Sequence, residues 1–416
     1  MGSYARGSPG ARSGATRDAP TGPTTDFVDR DRMPRSTRWP TPRPSADRAH
    51  LWSFSDQKCA QVRAIAPGPP TGSFDTPASG TTGIAGNIPV TGWALDNIQV
   101  TKVDLWREPA PGEPAGLAYI GDAVFVADAR SDVEGAFPTS PLNYRAGWGY
   151  MLLTNFLPIG AGSAVPGNGT FALHAIAHNA AGNSLDLGTR TITVDNAHAS
   201  KPFGTIDTPG QGATVSGNAY VNFGWALTQN PYKIPTDGST LSVIVDGQNI
   251  GHPNYNQPRA DIASLFPGLA NSNGAIGFFY IDTTTLANGV HTIAWTVSDN
   301  QGRTDGIGSR YFTVLNGGAI AVSIEEPVLA PSGAHGEMLD IEMEELERIE
   351  QDLGATAGYL LVNGELRSLP IGSSIKRGSF YWQPGPGFLG DYQLVFERPG
   401  SPDLIVRVTI RPKRFP

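Results

Sequence analysis

The chain has 416 residues, room for two to four domains at about 100–200 residues each, and a formal net charge of −8. Gly 51 and Pro 35 together make about 21% of it while charged residues make only 16%, which excludes a low-complexity chain and points to short strands joined by many turns. No apolar run approaches the ~18 residues of a membrane span, and the single Cys59 can build neither an internal disulfide nor a zinc cage by itself.

Charge is unevenly spread. Residues 1–70 carry ten Arg and one Lys against six Asp, a balance of +5, so the rest carries −13. That acidic remainder lacks the basic face that phosphate needs and speaks against a nucleic-acid partner. Residues 1–50 show no apolar period and cannot bury enough surface to offset chain entropy, so 1–70 is expected to be a disordered Arg/Pro/Gly-rich tail and linker. They hold no 7–15-residue apolar segment of a secretory signal. Their composition is what a GC-rich reading frame yields when translation starts too early, and the expectation is a start-site artefact or a truncated leader.

An internal repeat follows. GSFDTPASGTTGIAGNIPVTGWAL from Gly72 aligns without a gap to GTIDTPGQGATVSGNAYVNFGWAL from Gly204, pairing Asp75 with Asp207, Gly92 with Gly224 and Trp93 with Trp225. NSLDLGTRTITVDN closes one copy at 183–196 and RTDGIGSRYFTVLN the other at 303–316; R-S-D-V (Arg130, Asp132) and R-A-D-I (Arg259, Asp261) lie between. Alternation marks strands: Ile192 and Val194 oppose Thr191 and Thr193, and Ile293, Trp295 and Val297 share one face. LSVIVDGQNIG at 241–251 reads as a strand, a D-G turn and a return. Many short strands with no long helix give an all-β fold of tandem antiparallel sandwiches, over 71–197 and 202–316. Trp93, Trp225 and Trp295 are assigned to the structural core, with Trp93 and Trp225 between the sheets.

The G-x-x-D-T-P opening, the G-W-A-L strand, R-x-D-[VI] and the T-V-x-N close resemble bacterial immunoglobulin-like modules of surface and secreted proteins, over about 72–197 and 202–316. The resemblance implies an extracellular or cell-surface location and names no ligand. The first copy departs from it by a longer loop around 159–167, and the second has Ile276 where the first has Trp148.

Residues 320–416 form a third, β-rich module. MLDIEMEELERIEQDLG at 338–354 fits helical spacing through Leu339, Met343, Leu346, Ile349 and Leu353, and fits a strand through Leu339, Ile341 and Met343; the β context favours two short strands. AGYLLVNGELRS reads as a hairpin with an N-G turn. LPIGSSIKRGSFYWQPGPGFLGDYQLVF resembles another immunoglobulin-like domain, over about 355–411.

No pattern defines a reaction, a cofactor or a metal. GPGFLG at 385–390 matches G-x-G-x-x-G, but a strand follows where pyrophosphate binding needs a helix, so it is read as a hairpin turn. His174 and His178 share one strand face, the start of a metal pair or simply polar surface. Arg130 with Asp132 and Arg259 with Asp261 are read as pairs that tie a loop to a sheet. The acidic run 337–352 lacks a calcium loop and is read as a solvated face. Trp106, Trp148 and Trp382 are either packing residues or sugar platforms, and Asn168-Gly-Thr fits a glycosylation acceptor or a turn. The expectation is a non-enzymatic extracellular or surface protein of the structural or adhesion class, with a surface protein or a glycan as partner. Its alternative is a glycan-binding accessory module of a larger surface enzyme or adhesin, which exposed coplanar aromatics on one sheet face would favour.

Overall fold

The computed structural model describes residues 67–317, the strand Val328–Leu329 and residues 337–415; the expectations for residues 1–66 lie outside the described residues. The first repeat folds as two facing sheets. One runs Thr71–Thr76, Asn87–Leu95, Gly147–Leu153, Val124–Phe125; the other runs Thr81–Ile84, Ser184–Val194, Gly169–Asn179, Val100–Arg107, Ala118–Asp122. The second repeat has the same plan. Phe203–Thr208, Tyr220–Leu227, Ile276–Ile281 and Asn254–Gln257 face a sheet of Thr214–Val215, Thr304–Val314, Gly289–Ser298, Leu241–Val245 and Gln248–Gly251. All pairings are antiparallel except one edge strand in each repeat, Thr81–Ile84 and Thr214–Val215, which runs parallel to the closing strand. The chain is therefore an all-β array of immunoglobulin-like sandwiches.

The third sandwich sets a six-stranded sheet, from Val328–Leu329 through Glu365–Ser368, Ala357–Val362, Gly390–Glu397 and Leu404–Arg411 to Glu337–Glu344, against Ile349–Ala355, Gly378–Trp382 and Ser373–Lys376. The ambiguous segment is thus two strands. Glu337–Glu344 pairs in parallel with Leu404–Arg411, which turns Leu339, Ile341 and Met343 toward the core. Both D-G and N-G hairpins close with two successive positive φ values, 46° and 72° at Asp246-Gly247 and 52° and 83° at Asn363-Gly364. Those residues allow the turn because they tolerate the left-handed region.

The tryptophans separate into two kinds. In Asn87–Leu95, Ile88, Val90 and Ala94 face the inter-sheet core, so period-2 alternation sends Trp93 and Leu95 to the other face. Trp93 is half-buried there against Phe137, with ring centroids 5.5 Å apart, beside Val133 of the short helix Ser131–Ala136. Trp225 is fully buried but likewise lies outside the sandwich, with Phe203, Leu227 and Ile262. The expectation that both stand between the sheets is corrected by that parity. The inter-sheet positions belong to Trp148 and Trp295, both at 0% exposure. Gly92 leaves the space for the Trp148 ring, since a Cβ at Gly92 would meet it. Trp382 is equally buried in the third core.

The third sandwich packs against both repeats. Its core runs on into Val126 and Ala129 of the first repeat and Tyr311 of the second. The 385–390 loop, expected as a hairpin turn, instead joins strands of two different sheets and fits between the repeats. The Pro386 carbonyl accepts from Tyr311 Oη at 3.0 Å and abuts Gly149, where a Cβ would collide with it. Tyr392 Oη donates to the Ala129 carbonyl at 2.5 Å, and Arg367 pairs with Glu134 at 2.7 Å and Asp128 at 3.2 Å. Glu345, in the run expected to be solvated, is 4% exposed. Its Oε1 accepts from Thr76 and Thr91 of the first repeat, each at 3.2 Å, and its Oε2 from the Lys413 amide at 3.3 Å. Burial pushes this carboxyl up to about 8 despite those donors.

Candidate recognition face

Four strands of the first repeat, Ala118–Asp122, Val100–Arg107, Gly169–Asn179 and Ser184–Val194, turn one face to the core and the other outward. Val103, Leu105, Leu173, Ala175 and Ala177 point inward. The residues between them therefore align in cross-strand rows on the outer face. One row reads Tyr119, Trp106, His174, Thr189, and the next Asp122, Asp104, Ile176, Asp186, with Lys102 and His178 opposite each other beyond. This places Trp106 directly against His174 and puts His174 and His178 on one face, as their spacing implied.

The polar side chains of this face contact one another. Asp104 is nearly buried, with Lys102 Nζ at 2.7 Å and His178 Nε2 at 2.9 Å from its two oxygens. Lys102 also lies 3.6 Å from Asp122, and its ammonium is held above the usual lysine range by the hydrogen bond to Asp104. Tyr119 bonds Asp122, which lifts the phenol to about 12 and lowers the carboxyl. His174 Nδ1 meets Asp186 at 2.7 Å and Thr189 Oγ1 at 3.3 Å. The Trp106 indole N–H is buried without an acceptor. Its ring meets Tyr119, which is 52% exposed, at 5.2 Å with 68° between the planes. The two rings are therefore not coplanar, and they offer an edge-and-face corner rather than a flat platform. Arg107, at the end of the same strand, pairs with Glu113 and holds that carboxyl down at about 2.

The R-x-D pairs are ties within each repeat. Arg130 Nε and Nη2 donate to Asp132 at 2.8 and 2.7 Å, and its Nη1 reaches Asp75. Arg259 Nε donates to Asp261 at 2.8 Å and its Nη1 reaches Asp207. Each arginine thus clamps the start of a short helix, Ser131–Ala136 or Ala260–Leu265, to the Asp of the D-T-P opening. The aspartates of the opening were visible as repeat positions, but their part in the clamp was not, because the partner lies 55 residues away in one copy and 52 in the other. Among the described residues no group of three or more His, Cys, Asp and Glu is placed to hold a metal ion, and no helix is long and apolar enough to cross a membrane.

No family model matches the chain, and no curated protein matches it. Solved structures similar to it include fibronectin(III)-like modules of Clostridium thermocellum CbhA, at 16% identity over 59% of this chain and 95% of that one, with a TM-score of 0.20. Another is Bacteroides ovatus SGBP-B of a mixed-linkage glucan utilization locus, in complex with a mixed-linkage heptasaccharide, at 11% identity over 84% and 70% with a TM-score of 0.20. A third is the N-terminal eight Ig domains of a Down Syndrome Cell Adhesion Molecule isoform, at 10% identity over 83% and 41% with a TM-score of 0.21.

Proposed function

We propose that this chain is a non-enzymatic recognition protein of the extracellular or cell-surface adhesion class, with a surface protein or a glycan as its partner. The observation that carries the reading is the outer face built on Val100–Arg107 and Gly169–Asn179. There Lys102 and His178 stand in polar contact with Asp104, and His174 with Asp186, beside the Trp106–Tyr119 corner. Such a face binds at low ordering cost, because its side chains are already set on rigid strands. Aromatic rings beside fixed polar groups are the usual anchors of a binding surface. The edge-and-face corner suits a single sugar ring or one protruding side chain better than a flat polysaccharide surface.

The test is an array of glycans and surface proteins probed with the full chain, with Trp106→Ala and Tyr119→Ala as variants. A bound partner released by both variants, in protein that still melts cooperatively, supports the reading. Binding that ignores both variants removes this face from the mechanism. Turnover of any bound glycan on prolonged incubation overturns the non-enzymatic assignment.

A further inference from the structure

The second repeat meets the third sandwich through its D-G hairpin. The Asp246 carbonyl accepts from Ser374 Oγ at 2.9 Å, the Gly247 carbonyl accepts from Arg348 Nε at 2.5 Å, and Gln248 Nε2 donates to Ser374 Oγ at 2.7 Å. Gly247 lies against the backbone of Trp382, where a Cβ would stand 2.7 Å from the Trp382 nitrogen. The Asp246 side chain reaches back into its own repeat. Its Oδ1 accepts from the Thr292 amide at 3.0 Å and its Oδ2 meets His291 Nδ1 at 2.5 Å. We propose that His291 and Asp246 form a proton-operated latch: the charged imidazole holds the hairpin in the shape that grips the third sandwich, and loss of its proton loosens that grip.

The first observation behind this is a count of donors. His291 is 8% exposed, and its Nε2 meets the Ala287 carbonyl at 2.8 Å while its Nδ1 meets the Asp246 carboxylate. Both neighbours accept only, and a neutral imidazole has a single N–H to give. The geometry is therefore that of the imidazolium, and removing the proton leaves one buried acceptor without its donor. The second observation is position. The carboxylate that meets the imidazole and the carbonyl that meets Ser374 belong to one residue, so movement of the one disturbs the other. Thr292, next to His291, also abuts Gly372 of the third sandwich, where a Cβ would lie 2.8 Å from its side chain. The first repeat has Phe171 at the register of His291, so the latch belongs to the second repeat.

The surroundings leave the imidazole to this one acid. From the closing strand the Phe312 ring packs beside it at 5.7 Å, and the turn before its own strand supplies the Ala287 carbonyl. From the third sandwich the charged group at the hairpin is Arg348, engaged by Gly247 and by Glu350 at 2.6 Å. Burial disfavours the charge on His291, but the hydrogen bond and charge of Asp246 and the Ala287 carbonyl outweigh it and hold the imidazole above the ordinary histidine range. The latch is thus fully closed below the ordinary value of 6.5 and opens as pH rises through the raised one. The third sandwich keeps its hold on the first repeat through Arg367 and Tyr392, so opening makes a hinge rather than a release.

Hydrogen exchange of the full chain between pH 6 and pH 9, corrected for the intrinsic exchange rate, tests this in a Glu345→Gln background, where that buried carboxyl no longer titrates. Residues 245–251 and 371–383 should lose protection about tenfold or more across that range, while 131–136 and 365–368, at the first-repeat contact, should stay within about threefold. Adding His291→Gln should leave the two hairpin segments poorly protected at both pH values. Adding Asp246→Asn, which keeps a residue suited to the turn, should move the midpoint of the loss down by about one pH unit or more, and it decides the matter if His291→Gln does not fold. Protection of 245–251 and 371–383 that ignores pH, a pH profile that survives His291→Gln, or a midpoint unmoved by Asp246→Asn overturns the proposal.

Discussion

Trp148 and Trp295 stand where the two sheets of each repeat meet, and their truncation to Ala should cost about 3–5 kcal/mol each. Trp225 is as deeply buried and should cost a similar amount, whereas Trp93, half-buried outside the sandwich, should cost about 1–2 kcal/mol. Chemical denaturation of the four variants checks the order; a Trp93→Ala loss equal to that of Trp148→Ala would contradict the assigned faces. The sequence showed that Trp93 and Trp225 are equivalent but could not show which face they take. Gly92 and Ala94 flank Trp93, and neither neighbour is bulky enough to reveal the inward parity. Glu345 was still less legible, being one acid within an acidic run. Its carboxyl moves from 4.5 in an ordinary setting to about 8 in the fold, so the folded state favours the protonated form. The stability this group contributes is complete below pH 4.5 and is lost as pH rises through 8, on the order of 4–5 kcal/mol in all. Glu345→Gln should flatten the pH dependence of melting between pH 5 and 9 and should be the more stable protein at pH 9. Parallel pH profiles for the two proteins would rule the carboxyl out as the cause.

At the scale of elements, the hairpins were legible because D-G and N-G turns announce themselves within two residues. Strand content was legible from period-2 alternation. The 385–390 loop was not, since its partners Gly149 and Tyr311 lie far away along the chain and local pattern carries no trace of them. Gly149 has room only for a hydrogen against the Pro386 carbonyl. Gly149→Ala should therefore push the loop out of its seat, lower the melting temperature by several degrees and open 383–390 to protease. Unchanged melting and cleavage would mean that the loop contributes nothing to the junction. The recognition face was half legible. Its histidines and Trp106 were each singled out, and strand pairing was needed to set them side by side with Asp104, Asp122 and Asp186.

For the whole molecule, each repeat has a core of its own, yet the third core extends into both repeats through Val126, Ala129 and Tyr311. Residues 71–197 and 202–316, expressed separately, should fold and melt cooperatively but several degrees below the transition of the full chain, which should be single. Calorimetry of the three proteins checks this, and a 202–316 fragment as stable as the whole would show that the contacts are superficial. The seat of Pro386 has a further consequence, for how such a chain can change over generations. A filament of independent beads can gain or lose a bead and still work, so its reach drifts freely in length. Here the third sandwich touches Gly149 of one repeat and Tyr311 of the other at once. Inserting a copy between these two, or deleting either, leaves that loop with half a socket. The pair is thereby held as neighbours, and change at their junction is confined to substitutions that keep the socket.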